Sequence, residues 1–129
     1  MTTVSLRLTV MPWRLAVCRL PQSAVPTWAE GSAFLARTVT PTETSLVCEQ
    51  ACVPANVHAE RDWGCLMVAG PLDFALVGIV ARLTAPLADR SISVFVISTF
   101  DTDYLLVKQD RLGDAIDALT DAGCLVYRD

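Results

Sequence analysis

The stretch from Ser91 to Val107 constrains the fold more than any other part of the chain. Ile92, Val94 and Val96 alternate along one face, while Phe95 and Ile97 stand on the other. A strand that is apolar on both faces reads as a central strand, buried on both sides. Asp101-Thr102-Asp103 is polar and turn-forming, and Tyr104 to Val107 is apolar again, so the two runs make a β-hairpin. Helical patterns flank this hairpin. Before it, Leu72, Leu76, Val80, Leu83 and Leu87 recur at the three- and four-residue spacing of one helix face. Asp73 is placed to cap that helix, and Pro86 predicts that it kinks or ends about one turn early. A short apolar run, Cys65 to Ala69, stops at Gly70-Pro71 just ahead of it. After the hairpin, Asp110 opens a second helix with Leu112, Ala115, Ile116 and Leu119 on one face and Gly123 as its stop. Cys124 to Tyr127 follows as a last strand. Strand, helix, strand, strand, helix, strand is the split βαβ order, an α+β fold with both helices on one face of an antiparallel sheet.

The first half repeats that order less regularly. Val4 to Val10 and Leu15 to Leu20 read as two strands separated by Met11-Pro12-Trp13. Thr27 to Gly31 and Gln50 to Pro54 each have room for no more than a helical turn. Between them, Ala33 to Val39 and Ser45 to Cys48 form a second hairpin, turned by Thr40-Pro41-Thr42-Glu43. Laid over the later hairpin, Phe34 and Thr38 coincide with Phe95 and Thr99, and Leu46-Val47 meets Leu106-Val107 after a one-residue slip. The simplest account is a degenerate first copy over residues 1–61 and a well-formed second copy over residues 62–129.

Gly70-Pro71-Leu72-Asp73-Phe74 ahead of a helix, followed by the run from Ile92 through Asp101-Thr102-Asp103 to Val107, resembles the paired ACT domains at the regulatory end of aspartate kinases. It is closer still to stand-alone ACT proteins related to the eukaryotic cytosolic arginine sensors. The resemblance runs from about Trp63 to Cys124 and extends to the first half only in layout. It implies two ferredoxin-like βαββαβ ACT domains in tandem. It also implies a regulatory module that binds an amino acid or similar small metabolite where the loop after the first strand meets the end of the second. In this chain those positions are Gly70, Leu72, Asp73 and Phe74, and Ser98, Thr99, Phe100, Asp101, Thr102 and Asp103.

The chemistry of these residues suits such a ligand. Helix N–H groups near Asp73 would meet a carboxylate, and Asp73, Asp101 and Asp103 would meet an ammonium group. Gly70 permits close backbone approach, and Phe74 and Phe100 could wall the site. Plainer roles stand beside these. Asp73 could be a helix cap alone, Asp101-Thr102-Asp103 a simple turn, and the two phenylalanines core residues.

Other function classes find little support. A net charge of −4 with no basic run disfavours nucleic-acid binding. The apolar runs are too often broken by charge to span a membrane, and the N-terminus lacks the pattern of a secretion signal, so a cytoplasmic protein is expected. Five scattered cysteines read as free buried thiols rather than as disulfides or a metal site. With one histidine, His58, and no glycine-rich phosphate loop, the sequence predicts neither an enzyme nor a cofactor. The 53% hydrophobic composition against 19% charge favours a homo-oligomer, most simply a dimer, with output passing through a partner protein. The alternative is an ACT module that binds no ligand and serves dimerisation or protein interaction.

Overall fold

The computed structural model describes residues 5–69 and 77–128. The chain divides into two compact units: one comprises Met1–Pro12 with Gly64–Asp129, the other Trp13–Trp63. We call these unit 1 and unit 2. The division does not follow a single cut near residue 61, because the first dozen residues belong with the C-terminal half. Strands β1 (Arg7–Leu20) and β4 (Ala59–Val68) each contribute to both units. Among the described residues, no helix is long and apolar enough to cross a membrane.

Unit 1 adds helix α1 (Ile79–Asp89), strands β5 (Phe95–Ser98) and β6 (Asp103–Lys108), helix α2 (Leu112–Asp121) and strand β7 (Leu125–Tyr127). Its strands lie in the order β7-β1-β4-β6-β5. The strand, helix, strand, strand, helix, strand sequence is present from β4 onward, but β7 does not lie beside β4. It runs parallel to β1, with Arg7 opposite Leu125 and Thr9 opposite Tyr127. The sheet is therefore mixed rather than purely antiparallel. Alternation explains why β1 fits there: Leu8 and Val10 present a second apolar row to the same core that receives Val126.

That core shows both helices on one face. Leu83 and Leu87 of α1, with Ala115, Ala118 and Leu119 of α2, pack with Leu8, Leu66, Val68, Leu105 and Val107 of the strands. Every second strand residue faces the helices, as the period of a strand requires. Strand β6 is buried on both faces, with Leu105, Leu106 and Val107 all fully buried. The sequence assigns that place to Ser91–Phe100, but β5 covers only Phe95–Ser98 and ends the strand path, so Phe95, Val96 and Ile97 stay half-buried. Its two apolar faces mark an edge strand here.

Helix α1 also departs from the sequence pattern. It starts at Ile79, after Gly78 in the left-handed region at φ 76°, and carries Val80, Leu83 and Leu87 of the expected stripe, while Leu72 and Leu76 lie outside the described residues. At the other end the helix passes through Pro86 and continues to Asp89. Leu83 and Leu87 bracket the proline and are both fully buried, which anchors the turn that lacks its N–H. The end is closed by Ser91 N–H bonding to Ala88 O and Ile92 N–H to Leu87 O, with Ser91 left-handed at φ 57°. Helix α2 ends identically at Gly123, φ 95°, where Cys124 N–H bonds to Leu119 O. This is the paired-bond cap that prefers glycine at its left-handed position. The Arg111 guanidinium donates to Ser91 O and Arg90 O and so ties the end of α1 to the start of α2.

Unit 2 repeats the element order with 3-10 turns in place of helices. Its part of β1 leads to a turn at Thr27–Ala29, strands β2 (Leu35–Val39) and β3 (Thr44–Glu49), a turn at Gln50–Cys52, and the first half of β4. Its strands lie in the order β2-β3-β1-β4. Ala16, Cys18, Ala29, Leu46, Cys48 and Val53 form its core. The break expected at Met11-Pro12-Trp13 is absent, since β1 continues through Pro12. The described pairing on that flank of β1 stops with β7 at Thr9 and resumes with β3 at Leu15, so a missing N–H is tolerated between. Asp62, left-handed at φ 66°, accepts from Arg14 at 3.1 Å and from Gln50 Nε2 at 3.1 Å, while its N–H donates to Gln50 Oε1. All five cysteines are free, four of them buried and Cys52 half-buried.

The two helix caps make a paired prediction. Ser91→Gly should raise the unfolding free energy by about 0.5–1 kcal/mol, and Gly123→Ala should lower it by about 1 kcal/mol, in urea melts. Opposite signs are the diagnostic result, because both positions hold the same left-handed conformation.

Candidate functional site

The residues singled out by sequence fall in two segments. Gly70, Leu72, Asp73 and Phe74 lie outside the described residues. The second segment, Ser98 to Asp103, is the four-residue loop of the β5–β6 hairpin together with its closing pair. Ser98 stands opposite Asp103, and its hydroxyl donates to Asp103 Oδ1. Within the loop Thr99 acts twice at the same junction. Its N–H donates to Thr102 O at 2.8 Å and its hydroxyl to the same oxygen at 3.1 Å, while Thr102 N–H returns to Thr99 Oγ1 at 3.2 Å. The threonines thus close the turn by local side-chain bonds, the ordinary use of such residues in loops.

Thr102 does more than close the turn. Its side chain is buried and donates to Val68 O at 2.6 Å. Val68 is the last residue of β4, two residues before the segment that starts at 70. The bond therefore holds the hairpin loop against the strand end from which the Gly70–Phe74 segment departs. Among the six described candidates, Ser98, Thr99, Phe100 and Asp101 face solvent, Asp103 is half-buried, and Thr102 is turned inward and occupied by protein. Phe100 is 80% exposed, so it is not a core residue.

The proposed cap at Asp73 lies outside the described residues. Gly78 occupies the N-cap of α1 and Ile79 is its first helical residue. Sequence reasoning also missed the part played by Val68. Its contribution is a backbone carbonyl, which has no residue-type signature, and Thr102 between two aspartates reads as a turn residue.

Burial alone pushes the Cys65 thiol up to about 12 from its ordinary 9.0. His58 is exposed and lies just ahead of β4, where its carbonyl accepts from Arg19 N–H. Among the described residues, no group of three or more His, Cys, Asp or Glu side chains could hold a metal ion.

A split βαβ unit with both helices on one face of its sheet is the ferredoxin-like arrangement. Comparison with known proteins specifies it. The ACT domain family model matches residues 58–121, and a second model, described as an N-terminal domain, matches residues 14–56. The human cytosolic arginine sensor for mTORC1 subunit 1 is 43% identical over 58 residues, which is 44% of this chain and 18% of the sensor. The chain thus spans less than a fifth of that relative's length. A crystal structure of an Agobacterium tumefaciens protein superposes with a TM-score of 0.92 at 34% identity, covering 98% of this chain and 96% of that one. The regulatory subunit of Thermus thermophilus aspartate kinase shares the fold, with a TM-score of 0.57 at 9% identity over 84% of this chain and 91% of that one. The chain belongs to the ACT domain family.

Thr102→Val should cost about 1–3 kcal/mol, because the Val68 carbonyl then loses a partner at a buried site. Thr99→Val, in the exposed part of the turn, should cost about 1 kcal/mol or less by the same denaturant measurement. Cys65 gives a pH prediction with a fixed sign. Below pH 9 the thiol is protonated folded or unfolded; between 9 and about 12 only the folded chain keeps the proton, so Cys65 makes stability fall as pH rises through that window. Cys65→Ala should flatten that part of a stability–pH curve.

Proposed function

We propose that this chain is a non-catalytic regulatory module that binds a small metabolite, an amino acid, where the Gly70–Phe74 segment meets the hairpin loop Ser98–Asp103. The observation that most supports this is the bond from buried Thr102 to the Val68 carbonyl, which keeps the hairpin loop at the strand end from which that segment leaves. The exposed Asp101 carboxylate and half-buried Asp103 supply negative charge for an ammonium group. Ser98 and Thr99 add hydroxyls at the same loop, and exposed Phe100 adds an apolar wall. Gly70, Leu72, Asp73 and Phe74 complete the proposed site on the strength of the family resemblance. In this scheme Thr102 positions the loop rather than touching the ligand. Membership in a family that includes an arginine sensor agrees with an amine-bearing ligand.

The same proposal takes unit 2 as a degenerate second ACT copy. Its element order, with three-residue 3-10 turns where unit 1 has helices, supports that assignment. In this view the sequence halves 1–61 and 62–129 are the two copies, with the first strand lent across. The module acts in the cytoplasm as a homodimer, and its output passes to a partner protein.

One observation favours a second reading, in which the module dimerises without a ligand. Strand β5 ends the strand path with Val96 and Ile97 half-buried, an apolar edge strand of the kind that can pair with a second chain. Thermal melts of the full chain against each proteinogenic amino acid separate the two. A ligand at 100 times its dissociation constant should stabilise the fold by about 2.7 kcal/mol. Flat curves for the whole panel, with a dimer found by sizing, would leave the ligand-free module standing. For a ligand that does bind, Asp101→Ala should weaken it by about tenfold or more while changing stability by about 0.5 kcal/mol or less.

A further inference from the structure

Two cysteines of unit 2 are neighbours across adjacent strands. Cys18 lies on β1 and Cys48 on β3, and the register sets Cys18 opposite Leu46 and Ala16 opposite Cys48. The two cysteines therefore point to the same face, one diagonal step apart, and both enter the core formed with Ala16, Ala29 and Leu46. Their thiols share a hydrogen bond, with Cys48 donating to the Cys18 sulfur. That bond, the larger influence, and the Arg61 guanidinium draw the Cys18 thiol below its ordinary range against the opposing effect of burial. The same bond and burial hold Cys48 protonated. Arg61 is itself fixed by donation to Pro54 O at 3.1 Å. A third thiol, Cys52, sits half-buried at the edge of the same core. The thiols of unit 1 are differently placed: burial raises both Cys65 and Cys124.

We propose that Cys18 and Cys48 form a dithiol–disulfide couple oxidised by hydrogen peroxide, a modification site that links β1 to β3 within unit 2. The Cys18 thiolate attacks one peroxide oxygen, the O–O bond breaks, and the departing hydroxide takes up a proton as water. Cys18 is then a sulfenic acid. The Cys48 sulfur attacks the Cys18 sulfur, the S–O bond breaks, and the hydroxyl leaves with the Cys48 proton as a second water. Two thiols and one peroxide thus give one disulfide and two waters, the two electrons passing from the sulfurs to the peroxide. Cys18 is 2% exposed and Cys48 0%, so a small oxidant reaches them through local opening of unit 2. Cys18 is the nucleophile because it carries the more stable anion, and Cys48 resolves because it is already in contact.

The experiment treats the folded full-length chain with hydrogen peroxide, blocks remaining thiols under denaturing conditions, and maps cross-linked peptides by mass spectrometry. A Cys18–Cys48 link is expected, at least tenfold more abundant than any other pairing and losing that preference when peroxide is added in urea. In Cys48→Ser, dimedone added with denaturant after the peroxide is removed should trap a sulfenic acid on Cys18, whereas Cys65→Ser should leave the link unchanged. The wild-type peptide map decides the matter even where the serine variant fails to fold. Oxidation confined to Cys52, links to Cys52 as abundant as Cys18–Cys48, or full recovery of free thiols after peroxide would overturn the proposal.

Discussion

Unit 1 depends on a single packing constraint: two short helices must share one face of a sheet and seal it. Helices of 11 and 10 residues are marginal by themselves, so each persists because it buries an apolar stripe. Leu83 and Leu87 supply the stripe on α1, and Ala115, Ala118 and Leu119 on α2. The alanines bring α2 close, and the strands answer with Leu66, Val68, Leu105 and Val107. Gly64 belongs to the same constraint. A Cβ there would come within 3.2 Å of Leu112, so a bare backbone lets the start of α2 settle over β4. Once Val68 is held inward by this packing, its carbonyl is fixed at the strand end, where Thr102 finds it. The loop geometry follows from the core.

Much of this was legible in the residues, and the failures have identifiable causes. The hairpin, its turn, both helices and the Gly123 stop were readable because each has a local signature in periodicity or turn chemistry. The helix start was not. Leu72, Leu76 and Val80 keep the spacing of a helix, and nothing in that spacing reveals that Gly78 adopts a left-handed conformation between them. Nor was the place of Ser91–Phe100 in the sheet. Apolar residues on both faces mark a strand with two dry neighbours, but the same pattern fits an edge strand whose sides are only half covered. Insertion of β1 beside β7 lay beyond local pattern altogether, since pairing between positions so far apart depends on the finished core. Within the candidate site, the hairpin loop was found from its turn residues, while Val68 was missed because a carbonyl is common to every residue.

The two units use similar element orders for different ends. In unit 1 the helices cover the sheet and leave loops to be positioned. In unit 2 three-residue turns leave less cover, and small residues fill the space: Ala16, Cys18, Ala29 and Cys48. Cysteine suits such a core as a compact apolar side chain. The close approach of two thiols is then a by-product of economical packing, and chemistry becomes available where bulkier side chains would have kept the strands' contents apart.

The pairing of Arg7 with Leu125 has a consequence for how the chain comes to be folded. Trp13–Trp63 is one uninterrupted stretch, so all the partners of unit 2 exist once residue 63 has been made. Unit 1 must wait, because its first strand has no parallel neighbour until residues 125–127 emerge. Such non-local closure is entropically costly and slow. During synthesis, then, Leu6, Leu8 and Val10 spend their time as an exposed apolar segment attached to an already folding neighbour, the period in which a newly made chain is most open to chaperones and to aggregation.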